Sequence, residues 1–242
     1  MAPESEPETE PVFANRQAAG KRLAGALVAF RDALPIVLGI PRGGVPVAAE
    51  IARWLDAELD VVNARKLGVP SQPELAMGAL TADGGIYIDD ETIARHHVTA
   101  AQLVDAITRE SAEAMTREQR LRGARPPPQI AGRTVIVVDD GLAMGSTMRA
   151  ALRALRGQQP DRLVVAVPVG SPEICDDLKK DADEVVCFYA PERFWAVGEF
   201  YEDFSAVDEE TVRHILHDFD TARAPIPQGT PSPRGPDQRA NP

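Results

Sequence analysis

Five short apolar runs recur along the middle of the chain and indicate its architecture. Each run is rich in β-branched residues and is apolar at consecutive rather than alternate positions. This pattern is typical of strands that are buried on both faces, as in a parallel sheet. The runs are IVLGI (36–40), LDVVNA (59–64), TVIVV (134–138), LVVAVPV (163–169) and EVVCFY (184–189).

Segments with helical patterns separate these runs. Residues 45–57, 146–157 and 171–182 follow the first, third and fourth runs. A repeated order of strand and helix predicts an α/β fold, in which helices flank a doubly wound, mainly parallel sheet. Ligands of such folds bind at the carboxyl ends of the strands, and the third run ends directly before Asp139.

Two longer segments interrupt the alternation. Residues 65–85, RKLGVPSQPELAMGALTADGG, are expected to form a long loop, and loops of that length without secondary structure are usually lids or disordered. Residues 99–123 are strongly helical and end at Gly123, so a helical insertion is expected over about 92–123. The charges of this helix predict a solvated face without a catalytic role.

Composition predicts one folded domain between two tails. The chain has 242 residues, of which 44% are hydrophobic, and one substantial core is expected over residues 13–223. Residues 1–12 are acidic and Pro-rich, and residues 224–242 are rich in Pro and Gly. Neither tail has enough apolar side chains to offset the entropy of ordering it, so both are predicted to be disordered.

Charge and cysteine content argue against several functional classes. A formal net charge of -11 and a pI near 4.9 disfavour nucleic acid or an acidic membrane surface as the partner, since both require concentrated Lys and Arg. Cys175 and Cys187 are the two cysteines of the sequence, and no second CxxC pair accompanies them, which disfavours a zinc site. A disulfide framework is disfavoured because it requires a smaller chain with more cysteines. No apolar run approaches the length of a membrane span and no secretory leader opens the sequence, so a cytoplasmic protein is expected.

The stretch VIVVDDGLAMGST, residues 135–147, has the features of an anion-binding loop. It lacks the Lys and the glycine spacing of the common nucleotide-binding loops, but it is a glycine-bearing turn that opens a helix. Backbone N–H groups from about Leu142 to Thr147 are expected to converge on a phosphate, together with the helix dipole and the Ser146 and Thr147 hydroxyls. Such a loop suits one terminal phosphate monoester.

Two adjacent acids, Asp139 and Asp140, precede this loop and would repel a second anion. An uncharged group that needs hydrogen-bond acceptors and is tethered to a phosphate fits this position, and a sugar's vicinal diol is such a group. The acids would accept its hydroxyl hydrogens directly or act through a divalent cation. Together the acids and the loop predict a ribose 5-phosphate ligand. For DDG alone, a helix cap and turn would be the simpler interpretation.

This stretch resembles the phosphoribosyl diphosphate binding motif of the type I phosphoribosyltransferases, which has an apolar run, two acids and a small-residue loop. The resemblance implies that Asp139 and Asp140 are catalytic and approach a metal only through the ligand. One departure is Met144, which stands where the family usually has Thr and removes a hydroxyl, at a cost of about 1.5 to 3 kcal/mol in phosphate affinity. The implied binding residues here are Asp139, Asp140, Gly141, Leu142, Ala143, Met144, Gly145, Ser146 and Thr147.

A second stretch, GIPRGGVPVA (39–48), resembles the pyrophosphate loop of the same family. The resemblance assigns Arg42, Gly43 and Gly44 to the leaving group, with glycine at positions where the main chain approaches an anion closely. It also implies a cis peptide between Pro41 and Arg42. Outside this context, PRGG would be interpreted as a turn.

Two further segments extend the resemblance over most of the folded chain. The segment from Arg65 resembles the family's mobile catalytic loop, so Arg65 and Lys66 would reach pyrophosphate; solvated surface charge is the alternative. Residues 191–204, PERFWAVGEFYEDF, resemble the hood of hypoxanthine-type enzymes, predicted here at about 188–220. Phe194 or Trp195 would stack on the base there, with packing alone as the alternative.

The resemblance implies a Mg2+-dependent enzyme that moves ribose 5-phosphate from phosphoribosyl diphosphate to a nitrogenous base or related amine. Asp140 would relay a proton to or from the acceptor. The most similar branch is bacterial, known only as predicted phosphoribosyltransferases, with no settled acceptor, and superfamily members are often homodimers. Two alternatives stay open: a catalytically silent sensor of phosphoribosyl diphosphate or a nucleotide, and another α/β phosphosugar enzyme.

Overall fold

A computed structural model of the chain describes residues 12–223. The disorder predicted for the two tails concerns residues that lie outside this range, apart from Val12. The strands are β1 (Ile36–Gly39), β2 (Glu58–Val61), β3 (Ala64–Val69), β4 (Gln72–Thr81), β5 (Ile86–Ile88), β6 (Thr134–Val138), β7 (Arg162–Val169) and β8 (Glu184–Tyr189). The helices are α1 (Arg16–Ala26), α2 (Gly44–Leu55), α3 (Asp90–Arg95), α4 (Ala100–Arg122), α5 (Ser146–Arg156), α6 (Pro172–Leu178) and α7 (Glu209–Arg223), with short 3-10 turns at Val28–Ala33 and Val197–Phe200.

The central sheet contains all five predicted strands, and all its pairs are parallel, in the order β2-β1-β6-β7-β8. The predicted α/β fold with a mainly parallel sheet flanked by helices is therefore confirmed. Strands β1 and β6 are neighbours in register, with Gly39 opposite Val138. The chain leaves β1 toward β2 and leaves β6 toward β7, so the strand order reverses between them, which is where such sheets bind ligands.

Both faces of the central sheet are buried, because successive side chains of a strand point to opposite faces. On β6, Ile136 and Val138 belong to a core shared with α1, α2 and α7, while Val135 and Val137 belong to a core shared with α5 and α6. This explains why the strands are apolar at consecutive positions. The two cores hold the carboxyl edge of the sheet rigidly.

The segment expected to be a long loop, residues 65–85, is instead a second sheet. Strands β3 and β4 form an antiparallel hairpin with only Pro70 and Ser71 between them, and β5 pairs with β4. The loop prediction was wrong because the Pro and Gly residues hid the strand pattern. The predicted long helix is present as α4, and its Ala106 and Ala114 pack on the hairpin's buried Leu67 and Met77.

The segment predicted to be a hood, residues 188–220, divides into two parts. Its last part is α7, which packs on α2 and α4 and buries Val212, Leu216 and Phe219 in the core beside the sheet. That part therefore closes the core beside the sheet. The earlier part, residues 190–208, is irregular apart from the 3-10 turn, and it lies beside residues 12–14, with Phe13 paired to Tyr201.

Candidate functional site

Two loops leave the carboxyl edge of the sheet side by side. One follows β1 and runs through Pro41 and Arg42 into α2, and the other follows β6 and runs from Asp139 to Gly145. The N–H of Ile40 donates to the carbonyl of Val138 at 2.8 Å, which keeps the loops together at their start. The Pro41–Arg42 peptide is cis, as the resemblance implied, and the Arg42 side chain is exposed.

Gly43 and Gly44 allow the two loops to touch. A Cβ on Gly43 would lie 1.9 Å from Oδ2 of Asp140, and a Cβ on Gly44 would lie 2.5 Å from the carbonyl oxygen of Val138. No side chain fits at either position without displacing the acidic loop. The resemblance implies that these glycines bind an anion, and in the structure Gly43 packs against Asp140 and Gly44 against the backbone at Val138 and Asp139.

The two acids differ in their surroundings although they are adjacent. Oδ1 of Asp139 accepts a hydrogen bond from the N–H of Asp140 at 2.9 Å. Burial, followed by the charge of Asp140, raises the pKa of Asp139 well above its usual range. Asp139 therefore keeps its proton to a higher pH than an ordinary aspartate.

Asp140 is paired with a cation that the sequence analysis did not identify. Nε of Arg16, near the start of α1, donates to Oδ2 of Asp140 at 2.7 Å, and the two side chains are only 10% and 15% exposed. The residues are 124 positions apart, so no local spacing indicates the contact. Arg16 lies outside the stretches that carry the family resemblance, so the sequence offered no signal for this role.

The loop after the acids is held at both ends. Leu142 is buried; its N–H donates to the carbonyl of Val169 at 2.9 Å and its carbonyl accepts from the N–H of Ser171 at 3.0 Å. Leu142 therefore anchors the loop, and the expectation that its N–H is free for phosphate was wrong. Gly145 precedes α5 with a φ of 68°, in the left-handed region, and a Cβ there would lie 2.7 Å from Cγ2 of Ile174.

Beyond Leu142, the loop presents unpaired donors. Within residues 12–223, no acceptor bonds the backbone N–H groups of Ala143, Met144, Gly145, Ser146 and Thr147. Both hydroxyl residues are exposed, and Met144 is 81% exposed at the tip of the loop. A helix start with several free N–H groups attracts an anion.

Arg65 and Lys66 lie on β3, where both are paired with acids. The Arg65 guanidinium bonds Glu110 of α4 at 2.7 Å, and Nζ of Lys66 lies 3.0 Å from Glu74 of β4. A cavity of about 780 Å³ lies between the hairpin, α4 and the start of α5. Its lining includes both cations together with Ser146 and Thr147, but neither Asp139 nor Asp140. The start of α5 therefore borders the same cavity as the cationic hairpin, whereas the acidic pair does not line it.

The family assignment follows from the sequence match over this fold. The profile described as "Phosphoribosyl transferase domain" matches residues 13–205, which include both loops. The chain belongs to this phosphoribosyl transferase family. The resemblance carried by the two loop motifs is confirmed.

Several known proteins resemble this phosphoribosyl transferase domain. The Mycobacterium tuberculosis protein named "Putative phosphoribosyl transferase Rv0571c" is 42% identical over 206 residues, which are 85% of this chain and 46% of the relative. The chain thus spans about half the length of that relative. The crystal structure of TT1426 from Thermus thermophilus is 43% identical and covers 86% of this chain and 98% of its own, with a TM-score of 0.79. A purine phosphoribosyltransferase from Pyrococcus horikoshii is 14% identical, with a TM-score of 0.42.

The aromatic residues assigned to the base have different environments in the phosphoribosyl transferase domain. The Phe194 ring stacks on buried Phe200, with centroids 5.4 Å apart and an interplanar angle of 23°. Trp195 is 76% exposed. Of the two, Trp195 has a ring face available to a ligand, whereas Phe194 already packs within the domain.

Asp139 and Asp140 are the carboxylates that directly follow β6 at this edge of the sheet. Among residues 12–223, no group of three or more His, Cys, Asp or Glu side chains is arranged to hold a metal ion, and Cys175 and Cys187 are free thiols. Over the same residues, no helix has the length and apolarity needed to cross a membrane.

Proposed function

We propose that this domain transfers the 5-phosphoribosyl group of phosphoribosyl diphosphate to a nitrogenous acceptor and releases pyrophosphate. The observation that carries the proposal is the row of free N–H groups from Ala143 to Thr147 directly after the acidic pair, at the edge where the strand order reverses. Membership of the phosphoribosyl transferase family supports the same reaction class.

Each part of the substrate has a complementary group. The 5-phosphate binds the N–H groups and hydroxyls at the start of α5, and the ribose hydroxyls bind Asp139 and Asp140. The diphosphate binds the backbone at Arg42, Gly43 and Gly44 on the adjoining loop. Arg65 and Lys66 lie beyond the phosphate loop, so they reach the diphosphate only after exchanging their acidic partners for it.

The reaction breaks the bond from C1 of ribose to the diphosphate oxygen, which keeps the electron pair. The acceptor nitrogen donates its lone pair to C1, and positive charge develops on the sugar between the two events. The carboxylate of Asp140 stabilises this charge through its field. Asp140, the sequence-based choice for accepting the proton that the nitrogen loses, is bonded to Arg16, so we assign this role to the neighbouring Asp139.

The residues present fit Mg2+ only as part of a metal–substrate complex. Carboxylate oxygens suit this ion, but Oδ2 of Asp140 is taken by Arg16, so the protein offers Asp139 and the remaining oxygen of Asp140. Mg2+ would neutralise charge on the diphosphate and assist its departure. We propose Trp195 as the residue that stacks on the acceptor base, because its ring is the exposed one.

A panel of purine, pyrimidine and amine acceptors, incubated with phosphoribosyl diphosphate and Mg2+, tests the proposal. Pyrophosphate release with one acceptor is the expected result. Calorimetry with phosphoribosyl diphosphate alone gives the binding constant independently of turnover. Binding without release from any acceptor would identify a sensor, and absence of binding would refute the assignment of the site.

The doubly substituted Asp139→Asn, Asp140→Asn protein is the matched variant for this experiment. It keeps the size of both side chains and removes the carboxylates, so we expect phosphoribosyl diphosphate affinity to fall by about 100-fold or more, since bonds to charged acceptors are worth about 1.5–3 kcal/mol each. Inorganic phosphate binding at the start of α5 should change much less. Unchanged binding of phosphoribosyl diphosphate would contradict the role of the acids.

A further inference from the structure

Arg16 has an environment built to hold a buried carboxylate. Besides its bond to Asp140, its Nη1 donates to the carbonyl of Ser205 at 2.8 Å, and its guanidinium carbon lies 3.9 Å from the centroid of the Phe204 ring. The residue is 8% exposed. An exposed ion pair contributes little to stability. The Arg16 guanidinium is different, because a carboxylate, a carbonyl and a ring together hold it in one orientation.

Asp140 is also held through its main chain by the same part of the molecule. The Tyr201 hydroxyl donates to the carbonyl of Asp140 at 2.6 Å. Burial, followed by the charge of Asp140, raises the pKa of Tyr201, so the phenol stays a donor throughout the physiological range. The side chain and the carbonyl of one acid therefore both bond residues outside the phosphate loop.

Backbone hydrogen bonds join residues 12–14 to residues 200–203, the segment that supplies these partners. The N–H of Phe13 donates to the carbonyl of Phe200 at 2.9 Å, and the N–H of Glu202 donates back to the carbonyl of Phe13 at 2.8 Å. This pairing places Arg16 beside Phe204. Three separate parts of the chain, α1, residues 200–205 and the acidic loop, thus meet at Asp140.

We propose that Arg16 is the positioning residue for Asp140, which it holds in the orientation that receives the ribose hydroxyls of phosphoribosyl diphosphate. The inference rests on the proposed function of that acid. Arg16 bonds the side chain of Asp140 and Tyr201 bonds only its carbonyl, so without Arg16 the carboxylate would lose its fixed orientation. The charged and titratable groups that face Asp140 are Arg16, Asp139 and Tyr201.

Arg22 provides a matched control on the same helix. Its Nη1 donates to the carbonyl of Val12 at 2.8 Å, and its guanidinium lies 4.9 Å from the Phe188 ring centroid. It therefore shares the carbonyl and ring contacts of Arg16. Among the described residues, however, it forms no ion pair with a carboxylate.

The test compares Arg16→Gln, Arg16→Lys and Arg22→Gln by calorimetry with phosphoribosyl diphosphate and Mg2+, with unfolding temperatures measured in parallel. We expect Arg16→Gln to weaken binding by about 30-fold, Arg16→Lys to weaken it by about 5-fold because a charge remains without the fork, and Arg22→Gln to leave it unchanged. With an acceptor in hand, the loss should be larger in KM than in kcat.

The outcomes separate this inference from the proposed function. Wild-type binding with equal binding by Arg16→Gln would overturn the positioning role and leave the function intact. No wild-type binding would overturn both. If Arg16→Gln does not fold, Arg16→Lys and Arg22→Lys are compared at matched unfolding temperatures: weaker binding by the first alone supports the role, and equal binding overturns it.

Discussion

Adjacent aspartates at the edge of the sheet have divided roles. Asp140 is paired with Arg16, while burial and the charge of Asp140 raise the pKa of Asp139. Among the described residues, Asp139 forms no ion pair with a cation.

Asp139→Asn is expected to stabilise the domain increasingly as the pH rises. The pKa of Asp139 is higher in the folded state than in the unfolded chain. Its contribution to the free energy of unfolding is therefore fully present below the pKa of the unfolded chain, and it is lost as the pH rises through the pKa of the folded state. Each pKa unit of that difference is worth about 1.4 kcal/mol. Thermal unfolding at pH 5 and pH 8 measures the effect.

The control for this comparison is Asp161→Asn at an exposed position, which removes the same charge without burial. It should change the unfolding temperature equally at the two pH values. A variant of Asp139 that gains no more stability at pH 8 than at pH 5 would show that the carboxyl is ordinary.

Gly43→Ala is expected to displace Asp140 and to abolish its pairing. The new Cβ would lie 1.9 Å from Oδ2 of Asp140, so the side chain must move. We expect a loss of about 1–3 kcal/mol in the free energy of unfolding, as for other overpacked positions, and at least tenfold weaker binding of phosphoribosyl diphosphate. Gly25→Ala on α1, where a Cβ meets nothing within 4 Å, should leave both quantities unchanged or raise stability slightly.

At the residue scale, the sequence indicated the site residues that are contiguous in the chain and missed a contact between distant residues. Asp139, Asp140 and the residues up to Thr147 form one stretch, so their order along the chain indicates their order around a ligand. Arg16 lies beside Asp140 because residues 12–14 pair with residues 200–203. No periodicity or local spacing reports that contact.

Among the elements, the β3–β4 hairpin departs most from expectation. Its Gly and Pro residues indicate a loop, and its strand pattern is weakened by irregular pairing at Gly68. The hairpin is stable because α4 covers its apolar face, and the Arg65–Glu110 pair and the bond from Asn63 to the carbonyl of Ala114 join the two elements. A strand that depends on a helix more than 30 positions away is not visible locally.

Glu110→Gln is expected to strengthen the binding of pyrophosphate and phosphoribosyl diphosphate by about 2- to 5-fold. Arg65 must exchange Glu110 for the diphosphate, and an uncharged partner holds the guanidinium less firmly. Titration calorimetry with pyrophosphate and Mg2+ measures the change. Glu74→Gln is the control, because this acid is 93% exposed and its pairing with Lys66 contributes little. Equal affinities in wild type and Glu110→Gln would show that Arg65 does not reach the diphosphate.

Across the whole molecule, α7 closes one of the two cores. Leu216→Ala is therefore expected to lower the free energy of unfolding by about 2–5 kcal/mol, because Leu216 is 1% exposed and packs in the core that α1 and α2 share. The affinity of the folded fraction for phosphoribosyl diphosphate should not change. Chemical denaturation gives the first quantity and calorimetry the second.

Trp195→Ala makes the opposite comparison, since this exposed ring should affect an acceptor's KM without changing stability. If Leu216→Ala changed the KM of the acceptor without changing stability, α7 would be part of the acceptor-binding hood.

The sequence by itself determined the parallel sheet, the long helix and the two loops, because buried strands and glycine turns leave patterns within a few consecutive residues. It also determined the family, since those loops carry its motifs. Only the tertiary structure decided that the segment with Arg65 and Lys66 is a hairpin packed on α4, that α7 covers the core, and that Arg16 bonds Asp140. Each of these depends on packing between segments far apart in the chain, and the free energy of such contacts leaves no local pattern.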